Sequence, residues 1–126
     1  MKTYTSDKKI TIGLFGHNSS GKTSFAEAMF FNGGLTTRIG KISEGNTLLD
    51  FGAEEKAKNQ SVNLGIGYVE HNDTKIQILD APGFLDFQGE IISGLYATDI
   101  AALFVNPGSA IEVGLEKVVE LIDEMK

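Results

Sequence analysis

The stretch GHNSSGKT places Gly16, Gly21, Lys22 and Thr23 in the pattern G-x-x-x-x-G-K-[ST]. Each residue type has a physical job there. Glycines let the backbone curl until successive N–H groups point inward at phosphate oxygens. A helix starting at the end of the loop adds its positive N-terminus. Lys22 reaches the β- and γ-phosphates, and the Thr23 hydroxyl suits Mg²⁺. A chance match arises in about one or two chains in a hundred of this composition. The position of this one, between a predicted strand and a predicted helix, makes chance rarer still. The expected phosphate-binding residues are Gly16, His17, Asn18, Ser19, Ser20, Gly21, Lys22, Thr23 and Ser24. His17 reads as a loop residue that packs or hydrogen-bonds rather than reacts, and His71 as a solvated turn residue.

A second element is Asp80-Ala81-Pro82-Gly83. Asp80 ends a predicted strand, where a Mg²⁺-associated carboxylate belongs. The Gly83 N–H suits a γ-phosphate, and its loss on hydrolysis would release the loop. A tight turn explains these four residues equally well in isolation; paired with the phosphate loop, they read as a nucleotide switch. Ser61 is the candidate for a further hydroxyl on the metal, with a plain surface serine as its alternative. The metal set is thus Thr23, Ser61 and Asp80, and the catalytic set Lys22 and Gly83.

These residues need a scaffold. Lys9 to Phe15 reads as a buried strand and Lys22 to Phe31 as a helix that Gly33-Gly34 ends. Gly33 to Gln60 has no clear period, which in a compact domain marks a functional or mobile stretch. Ser61 to Glu70 alternates, with Val62, Leu64, Ile66 and Tyr68 on one side and Asn63, Gly65 and Gly67 on the other. A turn at His71-Asn72-Asp73 joins it to Lys75 to Leu79 as a hairpin. Gly89 to Ala97 reads as a helix and Ile100 to Val105 as a buried strand. A final helix carries the stripe Ile111, Leu115, Val118, Val119, Ile122 and Met125. The expectation is an α/β fold of the P-loop NTPase type. Its sheet is mostly parallel, with one antiparallel hairpin.

Bulk properties bound the rest. The 126 residues, 41% apolar and 22% charged, suit one globular domain. A net charge of -6 argues against a partner such as free DNA. The absence of Cys excludes disulfides and thiolate metal sites. No signal-peptide core and no run of eighteen apolar residues is present, so a cytoplasmic chain with no membrane partner is expected.

The motifs carry a resemblance. GHNSSGKTS, RIGKISEGNTLLD (Arg38 to Asp50), DAPGFLDFQGE (Asp80 to Glu90) and ALFVNPGSAIEVG (Ala102 to Gly114) resemble the start of the GTPase domain of translation elongation factor G. They are most similar to its elongation factor G-like paralogues. Tetracycline-resistance ribosomal protection proteins share the architecture. The resemblance implies GTP and GDP, Mg²⁺ and the ribosome. It makes Gly33 to Gln60 switch I and Asp80 to about Ile92 switch II. It also implies a mostly parallel sheet with the antiparallel hairpin strand at one edge, then the first strand, then Ile100 to Val105, incomplete on the C-terminal side.

Three departures stand out. Lys58-Asn59-Gln60-Ser61 replaces the family's Arg-Gly-Ile-Thr, keeping one hydroxyl. Ser19 stands where many members have Asp. Phe84 stands where the family has the His credited with placing the attacking water, and Phe has no donor or acceptor for that task. The guanine-reading N-K-x-D is missing, since Asn106 is followed by Pro107. Residues 1–126 are therefore expected to be the N-terminal part of such a domain, cut before that motif. Strand Ile100 to Val105 is expected to expose an apolar edge through which the chain self-associates. Two functions stand open: a translational GTPase, or a GTP-binding regulatory or ribosome-associated module with little or no hydrolysis.

Overall fold

The computed structural model describes residues 3–49, 52, 61–83, 88–108 and 113–124. Phe84, the Lys58-Asn59-Gln60 run and the stripe residues Ile111 and Met125 lie outside the described residues.

The β-branched run KITIGLFG forms strand β1 (Lys9–Gly16). Helix α1 (Lys22–Asn32) follows the phosphate loop. It stops as Gly33-Gly34 predicts: Gly34 adopts φ 74, its N–H bonds the Phe31 carbonyl (3.0 Å), and the Leu35 N–H bonds that of Phe30 (2.9 Å). That pair of bonds satisfies carbonyls the helix end would leave open. Strands β2 (Gly65–His71) and β3 (Thr74–Asp80) form the hairpin. Asn72 and Asp73 both have positive φ, as a two-residue type I′ turn requires. Helix α2 (Gln88–Tyr96), strand β4 (Ile100–Phe104) and helix α3 (Val113–Glu124) complete the described elements.

The sheet order is β2-β3-β1-β4. β1 runs parallel to both β3 and β4, and β2 pairs antiparallel with β3, as expected. Successive side chains of β1 enter opposite cores. Leu14 joins Ala26, Phe30, Leu49, Val69 and Ile78 under α1. Phe15 joins Ala81, Ile91, Leu95 and Val118 under α2 and α3.

Three details differ from expectation. β2 begins at Gly65 rather than Ser61, and its apolar alternation faces outward: Ile66 is 65% exposed and Tyr68 is also exposed. The glycine side faces the core because bulk comes from across the gap. A Cβ on Gly67 would lie 2.5 Å from Phe30, and one on Gly65 2.9 Å from Leu49. On α3, Leu115 and Val118 are buried, whereas Val119 of the predicted stripe is exposed. β4 is not the buried strand expected: it borders the described sheet with Ile100 and Leu103 exposed, and Val105 just beyond it is exposed too.

Candidate functional site

The parallel pairing of β1 and β3 sets Leu14 opposite Asp80. The Ala81 N–H extends the pairing to the Leu14 carbonyl at 3.2 Å. The glycine-rich loop and the loop after Asp80 therefore leave the same end of the sheet, side by side. Gly83 packs directly on the phosphate loop: a Cβ there would lie 2.5 Å from the Asn18 nitrogen and 2.7 Å from its Cα. No other residue type fits that approach without moving backbone.

The loop is shaped by its own short-range bonds. Ser20 donates from its N–H (3.3 Å) and from its hydroxyl (2.7 Å) to the His17 carbonyl. The Lys22 ammonium donates to the carbonyls of Gly16 (3.0 Å) and His17 (2.7 Å). Ser19 takes φ 59 and Gly21 φ 94, so the chain turns left-handed twice before α1 begins. Lys22 is buried, and burial pushes its ammonium below the usual lysine range; the Asp80 carboxylate draws it partly back.

Thr23 is the hub of the expected metal set. Its hydroxyl donates to Asp80 Oδ2 at 2.6 Å and lies 3.3 Å from the Ser61 hydroxyl. Residues 38 and 57 positions from Thr23 thus converge on one oxygen. One carboxylate and two hydroxyls are hard oxygen donors, the kind Mg²⁺ takes when phosphates supply the remaining ligands. Among the described residues no group of three or more His, Cys, Asp or Glu could hold a metal ion.

A cavity of about 370 Å³ opens here, within the range of small-molecule sites. Asn18, Ser19, Gly21, Lys22, Thr23 and Ser24 form its first wall, with Gly83 and Ser61 beside them. Gly16, His17, Ser20 and Asp80 do not line it; they hold Lys22 and Thr23 from outside the wall. Two residues that motif reasoning missed, Ile42 and Ser43, also line the cavity. They belong to a short 3₁₀ turn (Ile42–Glu44) inside the stretch expected to be irregular. The signal lay elsewhere: Glu27 falls on the inward stripe of α1 with Thr23, Ala26 and Phe30, and a buried carboxylate must find partners. Glu90 of α2 similarly accepts the Leu64 N–H at 3.1 Å, tying the approach to β2 to the helix after the second phosphate element.

The family model of the elongation factor Tu GTP-binding domain matches residues 7–126. Mitochondrial ribosome-releasing factor 2 of Lodderomyces elongisporus is 33% identical over 111 residues, covering 88% of this chain and 13% of the relative. Tetracycline resistance protein TetM from transposon Tn916 of Enterococcus faecalis is 30% identical over 105 residues, covering 83% and 16%. A crystal structure of a Thermus thermophilus protein superposes with TM-score 0.88 at 34% identity, covering 92% of this chain and 18% of that one. A bacterial selenocysteine-specific elongation factor, at TM-score 0.70 and 24% identity over 92% and 18%, shares the fold. The chain spans only 13% and 16% of the length of the two curated relatives.

Proposed function

The chain belongs to the elongation factor Tu GTP-binding domain family, and from that premise we propose that it binds GTP and GDP with Mg²⁺ as the nucleotide switch of an elongation factor G-type factor acting on the ribosome. The observation that carries this reading is the convergence of Thr23, Ser61 and Asp80 beside Lys22 at one cavity. In it, the loop N–H groups and the Lys22 ammonium bind the phosphates. Thr23, Ser61 and Asp80 would hold the metal, whose chemistry is to neutralise charge between the β- and γ-phosphates. Gly83 would offer its N–H to the γ-phosphate and so sense its presence. The relatives that name a ribosomal task support the ribosome as partner. No helix among the described residues is long and apolar enough to cross a membrane. The cytoplasm, and the absence of a free-DNA partner, belong to this proposal. So does self-association through the apolar edge of β4, for which dimer formation at high concentration in sedimentation is the test.

Phe84 favours a second reading, a switch that binds GTP but hydrolyses it slowly. Phosphoryl transfer is mostly positioning and charge stabilisation, so a missing water-positioning group costs about two to four powers of ten. The test is GTP turnover with and without ribosomes, beside a Phe84→His variant. Strong stimulation of the natural protein supports a working GTPase. Weak turnover rescued by the variant supports the binding switch. Failure of the natural protein to bind Mg·GTP at all overturns both.

A further inference from the structure

Glu27 is a buried acidic side chain outside the proposed phosphate and metal contacts. It is 1% exposed, on the inward face of α1. Oε2 accepts the Gly40 N–H at 3.0 Å, and Oε1 accepts the Leu48 N–H at 2.5 Å. One carboxylate therefore closes both ends of loop 40–48 onto α1. The loop is also tied internally: the Lys41 N–H donates to Asn46 Oδ1 (2.7 Å), and Asn46 Nδ2 donates to Glu44 Oε2 (2.8 Å). The Lys41 ammonium pairs with Glu44 at 3.1 Å, and the donors from Lys41 and Asn46 hold the Glu44 carboxyl below the usual range. Gly45 ends the turn in the left-handed region, at φ 59. Gly40 is buried against the clamp. A Cβ there would lie 2.5 Å from Glu27 Oε2, 2.8 Å from the Thr47 Cα and 2.9 Å from the Asn46 carbonyl oxygen.

This same loop carries Ile42 and Ser43 into the cavity wall. We infer that Glu27 is a positioning residue of the nucleotide site: by pinning both ends of loop 40–48 to α1, it holds Ile42 and Ser43 against the bound nucleotide. The inference rests on the reading of the cavity as a GTP site. Its chemistry is specific. Two N–H donors need a side chain with two acceptor atoms and no donor, and a buried carboxylate meets that need. Glutamine has the same shape but one acceptor oxygen, and it turns an NH₂ toward the other N–H. One end of the loop is then released, and ordering it falls to the nucleotide, which binds more weakly for that reason.

The test is titration of the whole chain with Mg²⁺ and a non-hydrolysable GTP analogue, far below every variant's melting midpoint. Glu27→Gln is expected to weaken binding by about ten- to a hundredfold, the worth of one hydrogen bond to a charged group. Gly40→Ala attacks the same contact from the other side and should weaken binding comparably. The double variant should be no more than about threefold weaker than the worse single one, because both remove one interaction. Val118→Ala, which loosens the core under α2 and α3, lowers the melting midpoint and leaves affinity unchanged. Binding by Glu27→Gln and Gly40→Ala within twofold of the natural chain overturns the inference alone, as does an equal loss of affinity in Val118→Ala. Absence of binding by the natural chain overturns the GTP reading and the inference with it.

Discussion

The cavity has two walls built by different means. Loop 17–22 is shaped by short-range bonds, among them Lys22 to the carbonyls of Gly16 and His17, and Thr23 anchors its far end to Asp80 across 57 positions. The wall carrying Ile42, Ser43 and Ser61 is held by contacts across the fold. Glu27 reaches amides 13 and 21 positions away, and Thr23 reaches Ser61 across 38. A locally bonded loop is set as soon as its strand and helix form. A wall held from a distance must be ordered against chain entropy, so fewer changes suffice to release it. The first wall is thus the fixed half of the site and the second the adjustable half, the division a switch requires.

The comparison can be broken at its strongest point. Lys22→Met should weaken Mg·GTP binding by at least about a hundredfold, since it removes a charge-assisted phosphate contact. It should do so without lowering the melting midpoint of the nucleotide-free chain, because a desolvated cation leaves with it. A large fall in both, seen by titration and calorimetry, would mean that Lys22's bonds to the Gly16 and His17 carbonyls stabilise the empty loop by more than burial of the ammonium costs.

Gly83→Ala probes the junction of the second phosphate element with the fixed wall. The added carbon meets backbone at Asn18, which cannot swing away as a side chain can. Affinity for the triphosphate analogue should fall by about tenfold, with GDP less affected. An equal loss for both nucleotides would show that Gly83 matters for packing rather than for the γ-phosphate.

Much of this was legible in the sequence because the governing signals are local. The run KITIGLF marked β1, Gly33-Gly34 marked the end of α1, and the hairpin was readable at Asn72-Asp73. From the G-x-x-x-x-G-K-T stretch, Asn18, Ser19, Gly21, Lys22 and Thr23 line the cavity, while Gly16, His17 and Ser20 stand behind them. Of the adjustable wall, Ser61 was named from the sequence, but Ile42 and Ser43 were singled out by no motif residue. Nothing near Ile42 or Ser43 reveals that a carboxylate on α1 will hold their loop. Alternation along β2 showed that its faces differ but not which one is inside. That was decided by Phe30 and Leu49, which fill the space opposite Gly67 and Gly65.

The inverted face gives a sharper, smaller test. Gly67→Ala should destabilise the chain by about 1–3 kcal/mol through crowding against Phe30. Ile66→Thr, one residue away on the exposed face, should cost less than about 0.5 kcal/mol on the same denaturant curve. The reverse order would mean that the Ile66 face, not the glycine face, packs inward.

The smallest effect is in pH. Lys22 titrates below its ordinary 10.5 in the folded chain, so the unfolded chain binds more protons between the two values. The charged lysine therefore costs stability at neutral pH. Stability should rise as pH climbs from the lowered value through 10.5. The difference between the natural chain and Lys22→Met should shrink across that window. A difference independent of pH would mean the ammonium is not disfavoured by burial.

Hydrogen exchange with and without Mg·GTP analogue reads both walls in one experiment. The account predicts strong protection of amides in residues 17–24 and, in the same sample, slowed exchange at Gly40 and Leu48. The second effect should be larger relative to the nucleotide-free state, since that wall is the adjustable one. Protection confined to residues 17–24, with loop 40–48 unchanged, would contradict a nucleotide held between two walls.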